Sequence, residues 1–286
     1  MDSEANSMQC FKSPSGDELQ IAPDRGGLVT SWICNGRERL YFDAERFKDP
    51  RKSVRGGIPI LFPICGDLPE DILNLPEGSF KLPQHGFARN MPWRLETLPD
   101  QQGIRLSLHS TTQTLECYPF RFELTIEYRL QPSALEVSVD VHHRVDSYGT
   151  MPFSIGLHPY FKVSSLENVQ IEGLALDCVD QKTSNNSDTE SLISGLSEGV
   201  DILTSSDHDP CVTMVDQGTR DRLRMFTSSP FDFVVIWSDP PRSMVCLEPW
   251  TAPRGSLTTG NHCIYLKPGV SSTSKVRYQI SEPISS

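Results

Sequence analysis

The stretch Phe122-Glu123-Leu124-Thr125-Ile126-Glu127-Tyr128-Arg129-Leu130 decides the fold, because apolar and polar side chains alternate along it without a break. A second stretch, Leu135–Val141, alternates in the same way, and Gln131–Ala134 separates the two. A period of two places every second side chain on one face, as a strand with a single buried face requires. The separating segment contains a proline and suits a turn. The sequence therefore predicts an antiparallel hairpin.

Strand patterns also dominate the rest of the chain. Residues Ile104–Leu108 alternate, and Phe231–Trp237 is a nearly continuous apolar run, which is typical of a strand covered on both faces. No helical periodicity is sustained anywhere, and 22 prolines interrupt the chain. A short helical turn is expected only near Ala44–Lys48. We predict an all-β fold.

The strand pattern gives no sign of a boundary between domains. It continues on both sides of the polar segment Gln181–Gly199, which suits an exposed loop better than a linker. We therefore expect residues 1–286 to form one domain, with loosely ordered tails at residues 1–8 and 281–286.

Charge and cysteine usage restrict the partners of the protein. A formal net charge of -11 argues against nucleic acid, since phosphate backbones need a basic face. The eight cysteines show no C-x-x-C spacing, which indicates reduced thiols and no metal site. Residues Met1–Ser7 lack the features of a secretory signal, and no apolar run reaches the roughly 18 residues of a membrane span. We expect a cytoplasmic monomer without a membrane partner.

The segment Met244–Trp250 contains a candidate catalytic residue. An apolar run delivers the carboxylate of Glu248, and Pro249 is expected to end the strand immediately after it. This placement makes Glu248 a candidate catalytic base, with Trp250 beside it as a platform for a sugar. The ordinary alternative is a glutamate that ends a strand in solvent.

Three further clusters combine polar side chains with glycine or proline. They are Arg55-Gly56-Gly57-Ile58-Pro59, Gln84-His85-Gly86-Phe87-Ala88-Arg89, and Gly156-Leu157-His158-Pro159-Tyr160-Phe161. An amide, an imidazole and a guanidinium close together suit the recognition of hydroxyls and anions. His158 could act as the acid partner of a glutamate, because histidine changes its charge near neutral pH. Each cluster alone also has a structural explanation, such as a solvated arginine or a histidine bonded to backbone carbonyls.

Taken together with LEPWT at 247–251, these motifs resemble one family in order and spacing. It is the family of glucose-6-phosphate 1-epimerases, or hexose-6-phosphate mutarotases, a branch of the galactose-mutarotase-like superfamily. The resemblance spans nearly the whole chain. It implies a β-sandwich of two large, twisted antiparallel sheets with a sugar cleft on a concave face, and a reaction that needs no cofactor and no metal.

The resemblance also implies the roles of two residues in the reaction. His158 is expected to be the general acid and Glu248 the general base for opening and closing the sugar ring. General acid–base catalysis by such groups typically contributes about 10²- to 10⁴-fold each. A carboxylate near His158 would also be expected to keep the imidazole protonated.

Five other residues are expected from the resemblance to bind the substrate. The arginines suit a phosphate group, and the histidine suits sugar hydroxyls. The aspartate is the nearest match to a family segment of the form Val-Asp-Arg, although the arginine is absent from this sequence. The five residues are Arg55, Gln84, His85, Arg89 and Asp201.

One departure from the family pattern keeps other functions open. After Phe62-Pro63 this chain continues with Ile64-Cys65-Gly66 and the acidic segment Asp67–Asp71, where the better-known members have Trp-Phe-Gly. An epimerase of free aldohexoses is therefore an alternative. A non-catalytic carbohydrate-binding sandwich could use Trp93 and Trp250. A glycoside hydrolase would need a second carboxylate for Glu248, such as Asp201 or Asp67.

Overall fold

The computed structural model describes residues 8–206 and 211–281. The first twelve strands are β1 (Gln9–Lys12), β2 (Glu18–Ala22), β3 (Leu28–Cys34), β4 (Arg37–Glu38), β5 (Ile60–Leu61), β6 (Ile72–Leu75), β7 (Gly78–Lys81), β8 (Arg94–Thr97), β9 (Gly103–His109), β10 (Phe122–Gln131), β11 (Ala134–His143) and β12 (Met151–Phe153). The others are β13 (Gly156–Leu157), β14 (Tyr160–Lys162), β15 (Val169–Glu172), β16 (Asp177–Asp180), β17 (Asn185–Asp188), β18 (Asp201–Thr204), β19 (Cys211–Asp216), β20 (Asp221–Thr227), β21 (Phe233–Ser238), β22 (Met244–Trp250), β23 (Ile264–Leu266) and β24 (Ser271–Ser281). The α-helices are short: α1 (Ala44–Phe47), α2 (Thr112–Cys117), α3 (Thr189–Ile193) and α4 (Ser256–Thr259).

The predicted hairpin is confirmed as β10 and β11. Gln131 pairs with Ala134, and the register continues along both strands to Phe122 opposite His143. Pro132 and Ser133 form the turn, and Ser133 has a φ of 54°. Buried and more exposed residues alternate along both strands, as the period of two predicts.

The hairpin lies within the first of two large sheets. This sheet, sheet I, has the strand order β15-β19-β20-β24-β11-β10-β9-β8. Its strand pairs are antiparallel. The apolar side chains on its inner face, such as Leu124 and Ile126, are fully buried. Sheet I therefore supplies one wall of the hydrophobic core.

The second large sheet, sheet II, covers that core. Its strand order is β17-β16-β18-β21-β22-β13-β5, and β14 also pairs with β22. Phe161 of β14 packs on Tyr278 of β24 in sheet I, with ring centroids 5.1 Å apart. Val245 and Leu247 of β22 belong to the same core cluster as the inner face of sheet I. The all-β sandwich is thus confirmed.

Smaller elements close the ends of the sandwich. Strands β1–β4 form a four-stranded sheet around the buried Trp32, and β12-β23 and β6-β7 form two-stranded sheets. Single bridges from Val29 to Ile58 and from Leu40 to Phe161 join the four-stranded sheet to the segments around sheet II. No helix in the described ranges has the length and apolarity needed to span a bilayer.

Two sequence-based expectations about local structure are wrong. Strand β22 does not end before Pro249 but continues to Trp250. Pro249 lies where the partners on one side change from β14, which pairs up to Cys246, to β13, which pairs at Trp250. The missing N–H therefore falls at a break in the ladder. The segment 181–199 is not a plain loop, since it contains β17 and α3.

The C-terminal end, the helical turn near Ala44 and the cysteines are the other local features expected from the sequence. Ser281 belongs to β24 rather than to a loose tail, while residues 1–7 and 282–286 lie outside the described residues. The expected turn near Ala44 is confirmed as α1. All eight cysteines lie within the described residues and none of them forms a disulfide bond, and Cys34, Cys65, Cys178 and Cys246 are buried.

Candidate active site

Strand β22 presents its polar residue on the face of sheet II that points away from the core. Val245 and Leu247 point into the core, so the alternation places Cys246, Glu248 and Trp250 on the opposite face. In the register with β21, Glu248 lies opposite Val235 and Cys246 opposite Trp237. The carboxylate therefore stands in the middle of the sheet. It is 1% exposed, and not at the solvent-facing end of a strand.

His158 reaches this face from the connection between β13 and β14. Both strands pair with β22, so the residue between them is held above Glu248. The backbone N–H of His158 donates to the carbonyl of Pro59 at 2.9 Å. The imidazole Nε2 lies 3.3 Å from Glu248 Oε1. The two residues that the motifs single out as acid and base thus lie in direct contact.

Aromatic rings, rather than hydrogen bonds, orient the imidazole of His158. The ring stacks on Tyr160 with centroids 4.7 Å apart and an interplanar angle of 8°. The edge of Trp237 packs against it at 5.7 Å. Its Nδ1 is buried, and within the described part of the chain it has no hydrogen-bond partner. Stacking therefore leaves the ring free to exchange a proton through Nε2 alone.

The surroundings of His158 favour its neutral form. Burial lowers the pKa of His158 to about 3, and the nearby guanidinium groups of Arg89, Arg55 and Arg254 act in the same direction. The expectation that a carboxylate keeps this imidazole protonated is therefore wrong for the unliganded protein. Burial and positive charge outweigh the single carboxylate of Glu248.

Glu248 shifts in the complementary direction. Burial raises the pKa of Glu248 well above its usual value, and the negative charge of Asp201 raises it further. Trp250 Nε1 donates to Glu248 Oε2 at 3.0 Å, which fixes the carboxyl group in place. Both shifts favour a neutral pair with its shared proton on Glu248. Because the two groups touch, this proton can pass to His158 when the surrounding charge changes.

His85 is held as a neutral hydrogen-bond donor. The backbone N–H of Gly66 donates to His85 Nδ1 at 3.1 Å, so in the neutral ring the proton lies on Nε2. Burial lowers the pKa of His85 well below its usual value, and Arg89 adds to this effect. The ring packs against Trp250 at 5.7 Å. His85 can therefore donate from Nε2 to a hydroxyl in the cavity.

The predicted arginines lie in the same cavity and differ in how they are paired. Arg55 lies 3.5 Å from Asp239, and its guanidinium is 5.4 Å from the ring of Trp237. Arg89 donates from Nη2 to the carbonyl of Gln84 at 2.9 Å. Across residues 8–206 and 211–281, no carboxylate lies within ion-pair distance of Arg89. This leaves Arg89 as a cation available to an anionic ligand.

Asp201 also reaches the cavity, at the first residue of β18. Gln181 Nε2 donates to one of its oxygens at 2.7 Å, and Arg254 Nη2 lies 3.5 Å from the other. Burial raises the pKa of Asp201 in spite of both partners. Asp67, the other candidate carboxylate, lies on the exposed rim and pairs with Arg254 at 3.2 Å.

All seven residues selected from the sequence line one cavity of about 220 Å³. A second cavity of about 300 Å³ shares Ser53, Arg89, His158 and Tyr160 with the first. Tyr160, Trp237 and Arg254 also line the first cavity. They are not among the residues selected from the sequence. Arg254 follows the LEPWT motif closely, and Trp237 ends the apolar run at 231–237, so both carried a signal.

The two tryptophans proposed as sugar platforms have other roles. Trp93 is 4% exposed and donates from Nε1 to the carbonyl of Ala88 at 2.9 Å. Trp93 does not line the cavity of Glu248 and His158. Trp250 does line it, but it is 1% exposed and bonded to Glu248. The aromatic residues thus support the polar groups and do not form an open platform.

Three side chains in the site could hold a divalent cation. Donor atoms of His158, Cys246 and Glu248 lie within 4.8 Å of one another. Imidazole, thiolate and carboxylate are the ligands that zinc takes in proteins. The contact between His158 and Glu248 also has the geometry for a direct proton transfer.

Comparisons with known proteins give the family of the chain. A family model described as aldose 1-epimerase matches residues 15–279. A protein of Cenchrus ciliaris named "Putative glucose-6-phosphate 1-epimerase" is 34% identical over 177 residues, which cover 58% of this chain and 50% of that protein. This chain thus spans half of that relative. The plasmid-encoded protein LacX of Lactococcus lactis subsp. lactis is 28% identical over 297 residues, covering 93% of each chain.

Solved structures give the same architecture. The Slr1438 protein from Synechocystis sp. PCC 6803 superposes with a TM-score of 0.91 and 35% identity, covering 99% of each chain. A galactose mutarotase related enzyme from Lactobacillus acidophilus superposes with a TM-score of 0.79 and 22% identity. That superposition covers 96% of this chain and 98% of the other. The fold is the galactose mutarotase-like sandwich.

Proposed function

Because this chain belongs to the aldose 1-epimerase family, we propose that it interconverts the α and β anomers of a hexose 6-phosphate, with Glu248 and His158 as its acid–base pair. Family membership makes the protein an epimerase, which is an isomerase. The observation that supports the proposed roles is the contact of 3.3 Å between His158 Nε2 and Glu248 Oε1 inside a cavity lined by hydrogen-bonding groups.

The proposed reaction needs only proton transfer. Glu248 as carboxylate takes the proton from the O1 hydroxyl, and His158 as imidazolium gives a proton to the ring oxygen O5. The C1–O5 bond breaks, an aldehyde forms at C1, and rotation about C1–C2 exposes its other face. Reversal of the two transfers closes the ring as the other anomer. Atoms and charge balance within the substrate and the two side chains.

Binding of the substrate can itself bring Glu248 and His158 into the protonation states that the reaction requires. In the unliganded site Arg89 and Arg55 oppose the protonation of His158. A bound phosphate would offset these positive charges and raise the pKa of His158. The shared proton would then move across the existing contact from Glu248 to His158, which gives the base and the acid that the reaction requires.

Two observations support a phosphorylated hexose over a free one. Arg89 has no carboxylate partner in the described residues, and charge-assisted pairs with phosphate are strong. Arg89 lines both cavities, and the second cavity is also lined by Lys52 and Asn90, which suit an anionic substituent. Asp67 of the acidic segment does not cancel this charge, because it is paired with Arg254.

We further infer that residues 1–286 form one domain that acts as a monomer in the cytoplasm. Eight cysteines outside disulfide bonds and a net charge of -11 support this inference. The negative charge also favours a small sugar as partner over nucleic acid. Arg55, Gln84, His85 and Asp201 would bind the ring and its substituents.

Saturation-transfer NMR with glucose, galactose and their 6-phosphates tests the proposal. We expect the protein to accelerate α/β exchange above the spontaneous rate, most strongly for a 6-phosphate, and Glu248→Gln to abolish the gain. Equal acceleration of glucose and its phosphate would favour a free-aldohexose epimerase. Binding without acceleration would favour a carbohydrate-binding sandwich. Release of sugar from an aryl glycoside would favour a hydrolase.

A further inference from the structure

Arg254 has no part in the mechanism above, yet it joins three segments at the edge of the catalytic cavity. Its Nε donates to Gln181 Oε1 at 2.6 Å, after β16. Its Nη1 donates to Asp67 Oδ1 at 3.2 Å, on the acidic rim. Its Nη2 lies 3.5 Å from Asp201 Oδ2, at the start of β18. The ladder between β16 and β18 already places Gln181 beside Asp201, and the Gln181 backbone N–H donates to the Asp201 carbonyl at 2.8 Å. The guanidinium links this pair to Asp67, which is distant in sequence.

Gln181 and Arg254 contact each other and both contact the carboxylate of Asp201. Gln181 accepts from Arg254 and donates to Asp201 Oδ1 at 2.7 Å, so each oxygen of Asp201 has one neighbour. A carboxylate has about four acceptor positions. The remaining positions are available to the cavity that Asp201 lines together with Glu248.

We propose that Arg254 is a positioning residue, whose guanidinium holds Asp201 and Gln181 against the rim residue Asp67 so that Asp201 accepts hydrogen bonds from the ring hydroxyls of the sugar. This inference rests on the proposed function, because it assigns the ring of the substrate to the cavity of Glu248 and His158. Asp201 then binds neutral hydroxyls, while Arg89 at the other side binds the charged substituent.

The geometry needs arginine rather than lysine. Three different nitrogens of one planar group point to three acceptors, and an ammonium group at the end of a flexible chain cannot reproduce that fork. Arg254→Lys therefore keeps the positive charge but loses part of the arrangement, whereas Arg254→Met loses both. The two variants separate positioning from charge.

The stem of Arg254 also contacts the segment that orients His85. A Cβ on Gly66 would lie 2.3 Å from Arg254 Cγ, so this side chain packs directly over the glycine. Gly66 in turn donates to His85 Nδ1 at 3.1 Å and accepts from the His85 backbone N–H at 2.6 Å. Arg254 thus links Asp67 to Asp201 on one side of the cavity. On the other side it packs against Gly66, which orients the imidazole of His85.

Charged groups around Asp201 allow the role to be tested in solution. Arg254 and Lys182 lower the pKa of Asp201, Asp180 raises it, and Gln181 stabilises the carboxylate by its hydrogen bond. Burial raises the pKa of Asp201, and the positive charge of Arg254 partly offsets this effect. Removal of Arg254 should therefore raise the pKa of Asp201. Since Asp201 raises the pKa of Glu248 and Arg254 lowers it, the pH dependence of catalysis should also change.

The experiment compares wild type, Arg254→Met, Arg254→Lys and Asp67→Asn by NMR anomer exchange with glucose 6-phosphate. For Arg254→Met we expect KM to rise by about 10- to 100-fold, as expected for the loss of hydrogen bonds to charged groups, with a smaller fall in kcat. Arg254→Lys should recover part of this loss, and Asp67→Asn should have a smaller effect. The matched control is Arg121→Met, which removes an exposed pair with Asp146 and should leave KM unchanged.

A titration of the Asp201 carboxyl carbon by NMR, without substrate, supplies the readout that does not need turnover. Its pKa should rise in Arg254→Met relative to wild type. An unchanged KM together with an unchanged Asp201 titration would overturn the proposal, and if Arg254→Met does not fold, the same criterion applies to Arg254→Lys. A wild-type protein without anomer exchange would instead refute the proposed function, while the titration would still report whether Arg254 holds Asp201.

Discussion

Sheet I and sheet II are both antiparallel, but their outer faces differ in kind. The outer face of sheet I carries partly exposed ion pairs, such as Arg105–Glu127 at 2.6 Å. Pairs of this type typically contribute about 0–1 kcal/mol to stability. The outer face of sheet II carries Glu248 and Cys246, which are fully covered. A similar architecture thus presents solvated charges on one side of the sandwich and buried titratable groups on the other.

The difference arises from what covers each sheet. The segments at 55–59 and 84–89 close over sheet II, and their arginines line the same cavity as the carboxylate of Glu248, which is 1% exposed. In that environment a neighbouring charge changes a pKa strongly, whereas on the outer face of sheet I water screens it. Catalytic chemistry is therefore expected on sheet II, and fold stability on the regular strands of sheet I.

The largest expected effect is on catalysis by sheet II. Glu248→Gln and His158→Gln should each lower kcat by about 10²- to 10⁴-fold, because each removes a proton-transferring group. Glu248→Gln keeps an oxygen that can accept from Trp250, so its thermal stability should stay close to wild type. NMR anomer exchange measures kcat, and calorimetry measures stability. Normal turnover by either variant would remove that residue from the mechanism.

The corresponding change on sheet I should affect stability alone. Ile126→Ala empties a position that is 0% exposed, and the free energy of unfolding should fall by about 2–5 kcal/mol. Activity per folded molecule should remain at the wild-type value. Thr125→Ala, on the other face of the same strand, is the matched control and should stay within about 0.5 kcal/mol. Urea denaturation distinguishes the two, and equal losses would contradict the assignment of faces.

A smaller effect is expected from the cation on the rim of sheet II. Arg89→Met should raise KM for glucose 6-phosphate by about 10- to 100-fold, since hydrogen bonds to charged groups contribute roughly 1.5–3 kcal/mol. The KM for glucose should change little. Arg94→Met removes an exposed pair with Glu96 on sheet I and serves as the control. Equal losses for both sugars would exclude a phosphate contact at Arg89.

The smallest effect is a change in titration without a change in structure. The unliganded His158 should remain neutral through pH 5, because its pKa is lowered to about 3, and inorganic phosphate should raise that pKa. A lowered histidine pKa makes stability fall as pH decreases from about 6.5 towards 3, because the unfolded chain binds the proton first. His158→Gln should show a weaker fall in this range. A ring that titrates near 6.5 without ligand would contradict the effect of burial.

Sequence alone predicts sheet I better than sheet II. The alternation at 122–130 and 135–141 gives the hairpin with its turn, because each strand has one buried face and one solvated face. Strand β22 is buried throughout, so its polarity does not alternate in a readable way, and Pro249 wrongly suggested an end. The change of partners from β14 to β13, which tolerates the proline, is a tertiary feature.

The site is predictable in its residues but not in its charges. The motifs name His158 and Glu248, and the resemblance to one family brings them together. Motifs do not show that burial, together with three nearby arginines, reverses the expected direction of the pKa of the imidazole. Nor do they show that Trp93 and Trp250 point their N–H groups at protein acceptors. These properties depend on packing between segments that are distant in sequence.

A crystal structure of Glu248→Gln soaked with glucose 6-phosphate tests the central statement, that the anomeric carbon of one pyranose ring lies within reach of both residue 158 and residue 248. We predict O1 within hydrogen-bond distance of the residue 248 side chain, O5 within the same distance of His158 Nε2, and the phosphate on Arg89. A sugar bound with its anomeric carbon away from both residues would contradict the mechanism proposed for this protein.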